Sequence, residues 1–271
     1  MSRTVFFVSD GTAITSETLG HALLAQFPQV EFEQVWIPFV NDKDAAMQAV
    51  EQIDAASKKD QAPPIVVNTI IDKKISAVIH SSPGIVLDLF SAFLHTLEKT
   101  LGSKPQLTVG RTHKLEDFDR YEDRMNATNY ALNHDDGESI EFGKADLILV
   151  GVSRSGKTPT CLYMALHYGV KAANYPLTED DLEGLRLPLF LRRHKHKIAG
   201  LMIDPERLAQ IRETRRPNSR YASLKQCHKE VDLAESLLRS EGITVFQTTH
   251  ASIEEISSRV LSELGVQREM F

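Results

Sequence analysis

Leu147-Ile148-Leu149-Val150-Gly151-Val152-Ser153-Arg154-Ser155-Gly156-Lys157-Thr158 is the stretch that decides how this chain reads. An apolar run enters a turn of the form G-x-x-x-x-G-K-[ST]. Cys161, Leu162, Met164, Ala165 and Leu166 then follow at helical spacing. Strand, loop and helix in that order are the setting in which this pattern cradles phosphate. The chemistry explains the residue types. Phosphates carry several negative charges, and a curled run of backbone N–H groups supplies donors without bulky side chains. Glycine permits the curl, and the helix that follows aims its positive end at the anion. Gly151, Val152, Ser153, Arg154, Ser155, Gly156, Lys157 and Thr158 are therefore the expected nucleotide-binding segment. Lys157 is expected to reach the outer phosphate oxygens, and Thr158 to offer its hydroxyl to magnesium. Pro159 is tolerated in a helix's first turn. An ordinary glycine turn is the competing reading, and the strand–helix context weighs against it.

Outward from the loop, strand-like and helix-like segments alternate in both directions. Upstream, strands are expected at Thr4–Val8, Phe32–Ile37, Ile65–Val67 and Gly84–Leu87. Helices are expected at Thr15–Phe27, Asp42–Ser57, Lys74–His80 and Phe90–Leu101. Downstream, Val170–Asn174, Ile198–Ile203 and Thr244–Gln247 read as extended, and Pro205–Arg215, Leu224–Arg239 and Ile253–Leu264 as helical. Such alternation predicts parallel sheets covered by helices. Between the two runs, Lys104–Asp123 is polar and Asp119–Leu132 has the spacing of an amphipathic helix. The expected fold is α/β: an N-terminal parallel-sheet α/β unit over 1–103, a helical junction over 104–143, and a P-loop kinase-like α/β domain over 144–271.

Composition narrows the function. The chain has 271 residues, 42% apolar and 25% charged, with a net charge of −6. That size buries a substantial core. The acidic balance argues against nucleic acid, which selects basic surfaces. Cys161 and Cys227 form no metal or redox spacing and read as reduced thiols. No run approaches the roughly 20 apolar residues of a membrane span, and the N-terminal apolar run is too short for a signal peptide. The expected location is cytoplasmic. The oligomeric state, homo-oligomer included, stays open.

Several polar groups are candidates around the loop. Asp204 ends an apolar strand and precedes Pro205, so it reads equally as a magnesium ligand and as a helix cap. Arg207, Arg212, Arg215, Arg216 and Arg220 crowd one segment. Arg212 and Arg215 would share a helix face and could stabilise a transferring phosphoryl group, or simply face solvent. His134, Asp135 and Asp136 sit in a turn and could assist an attacking hydroxyl. Ser9-Asp10-Gly11-Thr12 follows the first strand, where parallel sheets bind ligands, yet Asp-Gly is also a common turn. His194-Lys195-His196 reads as a solvated basic turn, without nearby partners for a metal.

Taken together, several segments resemble one family, the bacterial phosphoenolpyruvate synthase regulatory proteins. They are Val8–His21, Ala131–Gly137, Gly151–Thr160, Ala172–Leu177, Gly200–Leu208 and Asn218–Ser223. The resemblance covers nearly the whole chain. It implies a bifunctional serine/threonine kinase and phosphorylase whose partner is phosphoenolpyruvate synthase. In one direction ADP phosphorylates a threonine of the synthase and leaves AMP. In the other, inorganic phosphate removes that group and pyrophosphate forms. ADP and inorganic phosphate are the implied co-substrates. On that hypothesis the residues themselves suggest the rest: Thr158 helps hold magnesium, His134 or Asp135 is a candidate to assist the threonine, and the arginines near Arg207–Arg220, Arg212 and Arg215 among them, are candidates for charge stabilisation. The competing readings are an ATP-dependent kinase of a small metabolite and a nucleotide-gated regulator without catalysis.

Overall fold

The computed structural model describes residues 2–105, 118–137 and 141–267. The chain divides into two compact units, Met1–Lys114 and Leu115–Phe271. Each is built on a four-stranded parallel sheet.

In the first unit the strands are β1 (Ser2–Val8), β2 (Glu31–Ile37), β3 (Ile65–Asn68) and β4 (Ile85–Asp88), in the order β2-β1-β3-β4. Val5, Phe6, Phe7 and Val8 are all buried, because a central parallel strand is covered on both faces. β2 lies at the edge and alternates between exposed and partly buried positions. The helices are α1 (Ile14–Leu24), α2 (Lys43–Asp60), α3 (Lys73–Ile79) and α4 (Leu89–Leu101). Aspartates set three of their starts. Asp42 accepts from Ala45 N at 2.8 Å, Asp72 from Lys74 N at 2.7 Å, and Asp88 from Ser91 N at 2.9 Å. α2 buries Ala46, Ala49 and Ile53, one stripe at helical spacing.

The second unit opens with α5 (Phe118–Asn133), the amphipathic helix expected from the junction. It packs on α6 (Lys157–Tyr168). Most of the polar stretch Lys104–Asp123 lies outside the described residues. The strands are β5 (Leu147–Gly151), β6 (Ala172–Pro176), β7 (Ile198–Met202) and β8 (Val245–Gln247), ordered β6-β5-β7-β8. β5 and β7 are buried at every position. Their continuous apolar runs are the sequence signature of that burial. Around them lie two apolar layers. Ile148, Val150, Met202 and Leu238 belong to one, and Leu147, Leu149, Met164 and Val260 to the other.

The remaining helices are α7 (Glu179–Gly184), α8 (Leu189–Arg192), α9 (Pro205–Arg215), α10 (Leu224–Ser240) and α11 (Ile253–Glu263). The short α7 and α8 were not expected from periodicity, having too few turns to show any. α7 is fixed instead by a capping box between Thr178 and Asp181. β6 begins two residues later than the apolar run Val170–Asn174 suggested, because Gly169 (φ 65°) and Val170 close the end of α6. Among the described residues, no helix is long and apolar enough to cross a membrane.

Candidate functional site

The glycine-rich loop leaves the carboxyl end of β5, between β6 and β7, and leads directly into α6. Gly151 cannot be anything larger. A Cβ there would lie 2.3 Å from the Leu201 carbonyl oxygen of β7 and 2.9 Å from Ser155 Oγ. Arg154 (φ 77°) and Gly156 (φ 91°) both take left-handed backbone, which curls the chain. A Cβ on Gly156 would meet nothing within 4 Å, so that side of the turn is open.

α6 differs from its neighbours at its first turn. α9, α10 and α11 each begin with a side chain that accepts a backbone N–H, whereas α6 begins on Gly156 with no side-chain cap. Its first N–H groups are thus available to an anion. Ser155 is 1% exposed, and its hydroxyl has no hydrogen-bond partner among the described residues. A buried hydroxyl without a partner carries a free-energy cost unless something else supplies one.

Lys157 is also buried, at 4% exposure. Its Nζ donates to the carbonyls of Gly151 at 3.2 Å and Val152 at 3.0 Å, so the loop holds its own lysine. Burial pulls its ammonium down from 10.5 to about 8, against the opposing pull of the Asp136 and Asp135 carboxylates. Among the described residues the charged form has no directly bonded carboxylate, and an added phosphate would supply a countercharge.

Thr158 and the turn after α5 come together. Thr158 Oγ1 donates to Asp135 Oδ1 at 2.7 Å. Asn174 Nδ2 donates to the same oxygen, and Asn174 Oδ1 accepts from Asp136 N at 3.1 Å. His134 precedes Asp135 in this turn, and its ring turns toward Tyr130 and Phe142. Its Nδ1 lies 2.9 Å from the Tyr130 carbonyl, and its ring stacks on Tyr130 with centroids 3.8 Å apart. A carbonyl can only accept, so Nδ1 carries the proton and Nε2 is the basic nitrogen.

The arginines separate. Arg212 is fully buried on α9. It donates to Ser153 O at 3.0 Å, Tyr221 O at 3.1 Å and Glu230 Oε2 at 2.7 Å, and lies 4.1 Å over the Tyr221 ring. Tyr221 OH in turn lies 3.0 Å from Ser153 Oγ. Arg212 and Tyr221 therefore grip the loop from behind, through both backbone and side chain of Ser153. Arg215 and Arg216 are exposed on the end of α9, and exposed Arg220 pairs with Glu179 at 3.4 Å. Tyr221 and Asn174 carried no signal for this role in the helical or strand pattern. A polar Asn inside Ala172-Ala173-Asn174 was the available clue for the second.

Asp204 caps α9, with Oδ1 accepting from Glu206 N at 2.9 Å and Arg207 N at 3.1 Å. Among the described residues no group of three or more His, Cys, Asp or Glu side chains gathers. Magnesium needs no such cluster, since it commonly takes one or two protein oxygens and fills its shell with phosphate and water. The hard oxygens of Thr158 and Asp135 suit it. Cys161 is buried against the Ala173 carbonyl, and burial raises its thiol well above the ordinary range, which keeps it an inert packing group. His194 precedes a short turn in which Lys195 pairs with Glu241 at 3.3 Å.

A parallel sheet whose central strand runs through a glycine-rich turn into an uncapped helix defines an α/β protein. The chain belongs more particularly to the kinase/pyrophosphorylase family, whose pattern matches residues 5–261. It is 52% identical over 269 residues to a protein of Stenotrophomonas maltophilia (strain K279a), covering 99% of this chain and 98% of that one. It is 51% identical over 271 residues to a protein of Ectopseudomonas mendocina (strain ymp), covering 100% of both. Each relative is provisionally named a phosphoenolpyruvate synthase regulatory protein.

Proposed function

We propose that this protein binds ADP and magnesium at residues 151–158 and transfers the β-phosphoryl group to a threonine of phosphoenolpyruvate synthase. The threonine oxygen forms a bond to the β-phosphorus, the bond to the α-phosphate oxygen breaks, and AMP and a proton leave. In the opposite sense, inorganic phosphate attacks the phosphothreonine. Threonine is regenerated and pyrophosphate is released. The names of the relatives support the synthase as target, and a family that joins kinase with pyrophosphorylase supports the two directions.

The observation that carries the nucleotide reading is Ser155, a buried hydroxyl with no partner among the described residues, at the mouth of an uncapped helix and close in the chain to buried Lys157. An ADP phosphate would satisfy the hydroxyl, the first N–H groups of α6 and the lysine together. Inorganic phosphate would occupy the same donors in the reverse reaction, so one anion site serves both. Thr158 faces the cation, His134 Nε2 and Asp135 are the candidate bases for the threonine proton, and exposed Arg215 is a candidate to meet charge on the incoming group. Arg212 acts on the reaction through Ser153. The same reading makes it a cytoplasmic enzyme.

Purified protein mixed with phosphoenolpyruvate synthase and β-labelled ADP tests this directly. Label on a synthase threonine with equimolar AMP is the expected result, followed by labelled pyrophosphate when inorganic phosphate is added. Transfer from ATP to a small metabolite, with no label reaching the synthase from ADP, would replace the proposal with a metabolite kinase.

A further inference from the structure

The loop threonine expected to meet a cation has its hydroxyl proton already committed. Thr158 Oγ1 donates to Asp135 Oδ1 at 2.7 Å. A hydroxyl that gives its proton to a carboxylate keeps its lone pairs for another partner. That acid comes from the turn after α5, ahead of the loop in the chain, rather than from the carboxyl end of β7 where Asp204 stands. Asp204 uses Oδ1 to hold the first turn of α9.

Asn174 explains how Asp135 reaches Thr158. It is fully buried in β6, where a primary amide is costly unless its groups are paired. The pairs it makes go to one turn. Nδ2 donates to Asp135 Oδ1, Oδ1 accepts from Asp136 N at 3.1 Å, and its backbone N–H donates to the His134 carbonyl at 3.1 Å. Both side-chain hydrogen bonds received by Asp135 fall on Oδ1, and among the described residues Oδ2 accepts none. Asp135 is only half-buried, so a ligand can reach it.

We infer that Asp135, and not Asp204, is the acidic partner of Thr158 at the cation of the bound nucleotide, and that Asn174 is the positioning residue that holds it there. The inference rests on the nucleotide reading of the loop. It divides the labour of the turn: Asp135 serves the cation, and Asn174 holds Asp135 in place.

The test measures binding, not turnover, on the full chain. Mn2+ is the probe, followed by the loss of its free electron paramagnetic resonance signal with ADP present. ADP affinity in EDTA is measured separately by calorimetry. D135N should lower Mn2+ affinity in the ADP complex by about tenfold or more, without weakening ADP binding in EDTA. N174A should weaken Mn2+ in the same direction while its Asp135 is intact, and the N174A/D135N double variant should be no worse than D135N. D204N, whose amide still caps α9, should leave Mn2+ affinity unchanged. If N174A fails to fold, N174S carries the same comparison. Loss of Mn2+ affinity in D204N but not in D135N would overturn the inference alone. A fall in metal-free ADP affinity matching the fall in Mn2+ affinity would reduce Asn174 to a structural role. A wild type that binds no ADP with or without metal would overturn the nucleotide reading itself.

Discussion

The two units share a plan. Each has a four-stranded parallel sheet in which the first strand lies second, between the next strand and the one after it. In each, five residues join that strand to its helix, 9–13 in the first and 152–156 in the second. Both joining segments end on a left-handed residue, Ala13 at φ 66° and Gly156 at φ 91°, and neither helix has a side-chain cap. What differs is the chemistry on that plan. In the first turn Ser9 Oγ accepts from Gly11 N at 3.0 Å, and buried Asp10 accepts from Ile71 N at 2.8 Å. Ser9 and Asp10 each already accept a backbone N–H, and the buried charge is negative. In the second, the buried Ser155 hydroxyl has no partner among the described residues and the buried charge is Lys157. Topology supplies a position for a ligand, and a few side chains decide whether an anion is welcome there.

The sharpest way to break the comparison is to move the cation. Lys157→Ala should lower phosphoryl transfer by about a thousandfold or more. It should not lower the Tm, because it removes an ammonium whose burial is unfavourable. Ile14→Lys places a lysine at the equivalent first helical position of α1 and should leave ADP stoichiometry at one per chain. A second equivalent would show that the plan alone suffices. The supports behind the turns differ as well. Backbone N–H groups of Val40 and Phe39 take the carbonyls of Ser9 and Gly11, whereas buried Arg212 takes that of Ser153. Arg212→Ala strips Glu230 and Ser153 of their partner and should cost about 3–5 kcal/mol in urea unfolding. A loss under 1 kcal/mol would mean that Arg212 does not brace the loop.

Glycine gives the next contrast. Gly151→Ala drives a methyl group into the Leu201 carbonyl and should cost about 1–3 kcal/mol, with ADP binding weakened as the loop shifts. In the first turn, a Cβ on Gly11 would meet only Ser9 Oγ at 3.8 Å, so Gly11→Ala should leave both Tm and ADP affinity nearly unchanged. Equal effects at the two positions would contradict the packing described here.

Much of this was legible in the sequence, and the limits have physical causes. The buried strands β1, β5 and β7 announced themselves as apolar runs, and the loop by its fixed glycines and lysine. Both depend on residues close together in the chain. Arg212 could not be read that way. In sequence it is one of five arginines with glutamates interleaved, and its burial follows from Ser153, 59 residues earlier, and Glu230, 18 residues later. Asp204 reads equally as metal ligand and cap in sequence, and the fold turns its Oδ1 to the N–H groups of Glu206 and Arg207. The meeting of Thr158 with Asp135 spans 23 residues and depends on Asn174, 39 residues from Asp135. Periodicity carries no information about such meetings.

Protonation distinguishes the turns by a smaller amount. With Lys157 near 8 in the free protein and raised by phosphate in the complex, the protonated form is the one that binds. ADP affinity should therefore be flat below pH 8 and fall by up to about tenfold per pH unit above it. Calorimetry from pH 6.5 to 9.5 reads this directly. A flat profile would mean that the lysine stays charged throughout.

The smallest expected effect belongs to Asp10. Burial raises its carboxyl above the ordinary 3.8, against the lowering by its hydrogen bond from Ile71. Above 3.8 the folded chain then holds its proton more tightly than the unfolded chain does. This group's contribution to stability is thus lost as pH rises through the folded pKa. At neutral pH the ionised carboxylate is a modest burden, while its hydrogen bond still favours the turn. Asp10→Asn removes the charge and keeps an oxygen for the Ile71 N–H. Stability at pH 7 should hold or rise, by about 1 kcal/mol at most, and any gain over wild type should shrink on acidification toward pH 4. A loss of several kcal/mol, or of activity at unchanged Tm, would mean that the carboxylate meets a positively charged partner. The first unit's turn would then be a second working site and no longer the self-satisfied counterpart of residues 152–156.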